Sequence, residues 1–253
     1  MTRIIMVHGA FCGGWSFERF REPFEAAGFD VSAPDLRGHG PADPPGAVTG
    51  VSMSDYAADI ADLCRAQATP PVLIGHSMGG LVAQMAARRA PVSALVLLAP
   101  SPPWGVAAGT LEEAATAFGV QLLGPFMPGA ISPERSLMRA YSLDRLAKGE
   151  REAAVARLRP ESARAVRETL NWWMDPFMTT SLGPGPLGVP ALVIAGARDV
   201  VHSPSACAAV ADRIGATFKT MPDMSHWLMG EPGWERVAES VLTWIAETVS
   251  APA

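Results

Sequence analysis

Gly75-His76-Ser77-Met78-Gly79-Gly80 sets a serine between glycines two residues away on each side. The apolar run Pro71–Gly75 leads into it, and a helical stretch starting near Met78 leads out. A serine on a sharp strand-to-helix turn is held in strained backbone geometry, and flanking glycines let neighbouring backbones come close. The helix start behind Ser77 offers free N–H groups and the positive end of a helix dipole to charge developing beside it. The chemistry this suits is nucleophilic attack on an acyl carbon. The plain alternative is a glycine-rich tight turn with a buried serine. In a chain with 24 glycines the motif carries weight through its placement between strand and helix.

A serine hydroxyl is a poor nucleophile at neutral pH and needs a base. The chain has five histidines, few enough to weigh one by one. His8 and His76 sit inside loop motifs after the first and third apolar runs, where bracing backbone is the simpler role. His39 lies in the tight loop Asp35-Leu36-Arg37-Gly38-His39-Gly40, and His202 lies just past a candidate acid. His226 follows the last strand run in Met221-Pro222-Asp223-Met224-Ser225-His226, at the edge where Ser77 also falls, and is the base this reading selects. Asp199, in Gly196-Ala197-Arg198-Asp199 directly after the run Pro190–Ala195, is the carboxylate to orient it. Capping the next helix or pairing with Arg198 is the duller account of Asp199. Asp223 is a rival acid, though its place on the histidine's own loop suits a turn former.

Acyl transfer also needs donors for the oxyanion. The amide of Met78, next after the serine, is one. The other is expected from His8-Gly9-Ala10-Phe11-Cys12-Gly13-Gly14, with Ala10 first and Phe11 second. Both roles belong to backbone.

These loops need a scaffold. Six short, β-branched apolar runs recur: Arg3–Val7, Phe29–Ala33, Pro71–Gly75, Ser93–Leu98, Pro190–Ala195 and Ala216–Met221. Runs without alternation indicate strands buried on both faces. Helical stretches separate most of them, roughly Trp15–Ala27, Met53–Gln67, Met78–Arg89 and Pro204–Ile214, with a last one near Trp234–Thr248. This pattern is α/β: a doubly wound, mostly parallel six-stranded sheet. Between Leu98 and Val189 no strand is evident, and Leu111–Leu123, Pro133–Ala147, Glu150–Arg157 and Glu161–Met174 look helical. The expectation is a core of residues 1–99 and 187–253 with an all-helical cap, residues 100–186, inserted over the sheet's carboxyl edge. Proline- and glycine-rich ends would let that cap move.

His8-Gly9, Asp35-Leu36-Arg37-Gly38-His39-Gly40, Gly75-His76-Ser77-Met78-Gly79-Gly80, Gly196-x-x-Asp199 and His226 stand in an order that resembles the α/β-hydrolase superfamily over nearly the whole chain. The resemblance implies the triad order Ser77, Asp199, His226 and a sheet ordered 2-1-3-4-5-6, with the usual N-terminal hairpin missing. The opening Val7-His8-Gly9-Ala10-Phe11-Cys12-Gly13-Gly14-Trp15 is similar to the small branch of plant methyl esterases and hydroxynitrile lyases. The lyases keep a threonine after the first loop histidine and a lysine after the catalytic one. Gly9 and Trp227 stand there instead, which argues against a cyanohydrin lyase. Ser77 at the elbow argues against the relatives that use an aspartate nucleophile.

Composition bounds the rest. A chain of 253 residues, 49% hydrophobic and 18% charged, suits one soluble globular unit. A net charge of −5 without a Lys/Arg cluster offers nothing to nucleic acid or an acidic membrane. Three separated cysteines in no ligand spacing suggest neither disulfides nor a metal, and no cofactor is implied. The start is too short for a signal-peptide core, so the expected location is cytoplasmic. Phe11, Trp104, Phe126, Met138, Trp172, Trp173 and Trp227 are the expected pocket wall, though apolar residues at helical spacing are as readily cap core. The expected partner is a small, apolar, uncharged substrate, an ester or lactone cleaved through an acyl-enzyme. Cofactor-free C–C hydrolase, lyase or perhydrolase chemistry, and a ligand receptor with little turnover, stay open on the same site.

Overall fold

The computed structural model describes residues 2–106, 129–170, 172, 175–183 and 185–249. The sheet strands are β1 (Arg3–Val7), β2 (Asp30–Ser32), β3 (Val72–His76), β4 (Ala94–Leu98), β7 (Ala191–Gly196) and β8 (Thr217–Met221), with a small pair β5 (Ala130–Ile131) and β6 (Glu161–Ser162) between β4 and β7. The helices are α1 (Glu18–Ala26), α2 (Met53–Arg65), α3 (Met78–Ala87), α4 (Lys148–Arg157), α5 (Ala163–Leu170), α6 (Pro204–Ile214) and α7 (Trp234–Thr248).

The six main strands run parallel in the order β2-β1-β3-β4-β7-β8. Period-two alternation splits their apolar residues between two cores. Ile5, Val7, Leu73, Leu95, Leu97 and Val193 face α2, α3 and α6. Ile4, Met6, Ile74, Val96, Leu98 and Ile194 face α1 and α7. Both faces being covered explains why the inner strands read as unbroken apolar runs. The edge strand β8 departs from that expectation, since most of its residues keep water contact.

Local chemistry sets the helix ends. Ser52 and Asp55 form a capping box at α2, with Ser54 N donating to Ser52 Oγ at 3.1 Å and Ser52 N to Asp55 Oδ2 at 2.9 Å. Helix α6 starts on Ser203 and Pro204 and stops at Gly215, whose φ of 72° few other residues tolerate.

The insertion between β4 and β7 is not wholly helical. Ala130 pairs with Ser162 and Ile131 with Glu161 in an antiparallel ribbon, so the helix expected from Glu161 begins at Ala163. Glu161 is drawn out of helical geometry by its own side chain, which accepts from the amide of Ser162 at 2.8 Å. Pro133–Ala147 resolves into a single helical turn, Arg135–Leu137, continued by the π-turn Met138–Ser142. The expected helix Leu111–Leu123 lies outside the described residues.

Buried and backbone hydrogen bonds are among the contacts that bind the insertion to the sheet unit. Glu161 receives hydrogen bonds from Tyr56 Oη at 2.6 Å and His39 Nε2 at 3.1 Å. Glu168 Oε2 receives Ser52 Oγ and the amide of Met53, each at 2.8 Å, so it extends the cap of α2. The amide of Arg159 donates to the carbonyl of Phe11 at 2.8 Å. Among the described residues, no helix is long and apolar enough to cross a membrane.

Candidate active site

Ser77 stands between β3 and α3 with φ 53° and ψ −123°, a left-handed backbone that a non-glycine residue adopts only when its surroundings impose it. Those surroundings are backbone. A Cβ on Gly79 would lie 2.3 Å from the carbonyl oxygens of Val7 and His8, and one on Gly75 would lie 2.5 Å from that of Gly79. The glycines therefore let α3 rest directly on β1. The amide of Ser77 donates to Leu98 O at 3.0 Å, and its carbonyl receives the amide of Ser101 at 2.9 Å.

His226 lies on the loop after β8 and Asp199 on the loop after β7. Their side chains meet, with Nδ1 2.8 Å from Oδ2 and both buried. The other oxygen of Asp199 receives the amides of Val201 at 2.7 Å and His202 at 3.0 Å. Burial opposes the carboxylate's charge, but the His226 ring and these donors outweigh it and hold its pKa below the ordinary range. Asp223, the rival acid, lies at the surface against Arg198. His226 and Ser77 line one cavity of about 130 Å³. Among the described residues no hydrogen bond joins the Ser77 hydroxyl to the imidazole, and free enzymes commonly hold such pairs apart until substrate arrives.

The remaining histidines brace loops. His8 accepts the amide of Leu36 on Nε2 at 2.9 Å and meets Gly9 O through Nδ1 at 2.9 Å, which joins the first loop to the one after β2. A ring serving both must be neutral. Burial, then the nearby His39, lowers its pKa to about 4. His76 Nε2 contacts the carbonyl of His226 at 2.9 Å, tying the serine's turn to the histidine's loop. Burial and then the His226 ring hold its pKa well below the ordinary value. Behind the same loop, the buried Glu231 receives the amide of Ser225 at 2.6 Å, and its Oε2 finds no partner among the described residues. Burial raises that carboxyl to about 7.

Ala10, Phe11 and Met78 all border the cavity, and none of their amides donates to a protein acceptor among the described hydrogen bonds. Phe11 turns through φ 64°, and Cys12 N closes the turn on Gly9 O at 3.3 Å. The cavity wall is mostly apolar: Phe11, Met138, Val166, Leu170 and Trp227 contribute, and among the described residues no Asp, Glu, Lys or Arg does. Trp104 and Trp172, expected on that wall, are absent from it. Their rings stack edge-to-face, 5.2 Å apart. Phe126 and Trp173 lie outside the described residues. Ser101 and His202, which no motif marks, do line the cavity, as does Cys12. No His/Cys/Asp/Glu group among the described residues is arranged to hold a metal.

A family model described as the alpha/beta hydrolase family matches residues 4–240. A pyrethroid hydrolase of Sphingobium wenxiniae is 39% identical over 80 residues, covering 32% of this chain and 28% of that protein. The chain thus spans less than a third of that relative's length in the match. A monoacylglycerol lipase of Mycolicibacterium smegmatis is 25% identical over 262 aligned residues, 96% of this chain and 87% of the lipase. Among solved structures, a methylesterase protein MES16 from Arabidopsis superposes with a TM-score of 0.74 at 19% identity, covering 98% of this chain and all of its own. At that identity the likeness is one of fold.

Proposed function

The chain belongs to the alpha/beta hydrolase family, and from that premise we propose that it is a serine hydrolase of carboxylic esters or lactones with an apolar, uncharged body. Ser77 is the nucleophile, His226 the general base and Asp199 the residue that orients it. The observation that carries the reading is the strained Ser77 on the same cavity as the buried His226–Asp199 pair. Strain at one serine and a hydrogen-bonded imidazole–carboxylate pair beside it are costly to maintain and serve acyl transfer directly.

In this mechanism Ser77 Oγ attacks the acyl carbon while its proton passes to His226 Nε2. The Asp199 carboxylate, already on Nδ1, stabilises the imidazolium. The oxyanion is received by the amide of Met78 and that of Ala10, with Phe11 as the alternative second donor. His226 returns its proton to the departing alcohol, and water repeats the attack to free the acid. The uncharged wall supports an apolar substrate, since a charged one would be desolvated without a counter-charge. The insertion of residues 100–186 acts as the cap that encloses it. Relatives named hydrolase, lipase and methylesterase support ester cleavage.

The test is a serine-directed phosphonate together with a panel of aryl esters. Labelling once, at Ser77, with faster turnover of apolar than charged esters of matched leaving group, is expected. Labelling elsewhere, or no ester turnover, would overturn the reading.

A further inference from the structure

The catalytic cavity has a neighbour, a groove of about 210 Å³ with α1 and α4 residues on its wall. Trp15, Leu146, Ala153, Ala154 and Met229 give that groove apolar surface. Its charged wall residues are paired off. Arg19 meets Glu150 at 2.5 Å and Arg157 meets Glu18 at 2.6 Å, so each pair ties α1 to α4.

Among the described residues, Trp227 alone borders both spaces. Its side chain is buried, and it meets an aromatic ring from each of them. The ring of His76, on the cavity, stands edge-on to it with centroids 5.6 Å apart. The ring of Trp15, on the groove, lies 6.0 Å away. Gly230 is a groove residue too, and a Cβ there would lie 2.7 Å from Trp227 Nε1, so the indole rests on bare backbone. The amides of Gly230 and Glu231 both donate to the Trp227 carbonyl at 3.0 Å, which holds the residue's own backbone in place. With ring and backbone both held, the indole is a fixed partition.

We infer that Trp227 is a specificity-determining wall, which separates the catalytic cavity from the groove and so limits the length of one half of the ester. This rests on the ester-hydrolase reading. The preferred substrate then carries a short chain in that half. Removing the indole would join spaces of about 130 and 210 Å³ into one path. A chain entering that path would bury its methylenes against Trp15, Leu146 and Met229, gaining about fourfold for each.

The experiment measures kcat/KM for two ester series of two to ten carbons. In 4-nitrophenyl alkanoates the acyl half lengthens, and in alkyl acetates the alcohol half does. In the unmodified protein one series should stop gaining with length. In Trp227→Ala that series should resume, its ten- to four-carbon ratio rising by about fifteenfold or more, the worth of two methylenes. The ratio cancels any general loss from disturbing the neighbouring His226. Adding Ala153→Trp, at an exposed position on the groove wall, should cancel the gain by filling the groove. Trp227→Leu should give a smaller rise, and it replaces the alanine variant if that one fails to fold. Length profiles parallel to the parent's in both series, or a gain untouched by Ala153→Trp, overturn the inference and leave the ester reading standing. If neither series is hydrolysed, the ester reading falls, and alkyl methyl ketones titrated calorimetrically test the wall alone. Longer ketones binding more tightly only in Trp227→Ala uphold it; the same length dependence in both proteins overturns it as well.

Discussion

His39 Nε2 and Glu161 Oε2 lie 3.1 Å apart, and neither side chain keeps any exposure to water. Burial opposes both charges. Each partner nonetheless favours the other's charged form, so His39 is raised and Glu161 lowered from their ordinary values. Tyr56 and the Ser162 amide share the carboxylate, which makes the group a closed network spanning two parts of the chain.

Glu161→Gln removes the counter-charge and leaves His39 buried against a neutral amide. The loss expected from breaking a buried pair is about 3 kcal/mol. Urea unfolding at neutral pH measures it. A loss under about 0.5 kcal/mol, the size of a surface pair, would mean that the network contributes little.

The same pair gives stability a two-sided dependence on pH. The lowered carboxyl contributes above its ordinary 4.5, and that contribution is lost as pH falls through its lower folded value. The raised histidine contributes fully below its ordinary 6.5 and loses that as pH rises through its higher folded value. Stability from this source should peak between the two, and the peak should flatten in Glu161→Gln. A pH series of unfolding curves reads it directly.

Glu231 works in the opposite sense. Its folded value near 7 exceeds the ordinary 4.5, so its contribution is complete below 4.5 and is lost as pH rises to about 7. Glu231→Gln keeps an acceptor for the Ser225 amide and removes the charge. That variant should surpass the parent by roughly 1–3 kcal/mol above neutral pH, with no gain in acid. Equal stability at both extremes would contradict this.

Ser77→Ala should lower ester turnover by about ten-thousandfold or more while the protein stays folded, and Asp199→Asn should cost a similar factor by favouring the wrong imidazole tautomer. Steady-state kinetics on an aryl ester, with circular dichroism to verify folding, checks both. Asp199→Asn at parental rate would remove the carboxylate from the mechanism.

Gly79→Ala should prevent folding or cost well over 3 kcal/mol, because the new carbon meets two backbone carbonyls that cannot step aside. Gly28→Ala is the control. Nothing lies near its new carbon, and its φ of 88° alone should cost about 1 kcal/mol. Thermal melts of the pair separate steric collision from backbone strain.

The scaffold was readable because its signals are local. Apolar runs state their own structure, and strand ends moved by a residue or so where pairing outlasts apolarity. His76 is one case, a polar residue that still pairs with Leu98 on β4. Ser77, Asp199 and His226 could be singled out as candidates because each lies on a loop that follows a strand. Ser101 and His202 had no such mark, since a serine in a proline-rich loop and a histidine after an acid gain meaning only when 101 residues of separation close to 2.9 Å. Glu161 was hidden too. Its helical neighbours masked a carboxylate that turns inward toward residues 105 and 122 positions away. Trp104 and Trp172 misled because an aromatic's size says nothing about whether it faces a ligand or another ring.

The bond from Arg159 N to Phe11 O has a practical consequence for anyone redesigning this molecule. The inserted segment that borders the cavity also grips the turn after the first strand, so the two are not interchangeable modules. Trimming that segment to admit bulkier compounds would slacken the turn at the same stroke, and a grafted replacement must bring its own amide to the same spot.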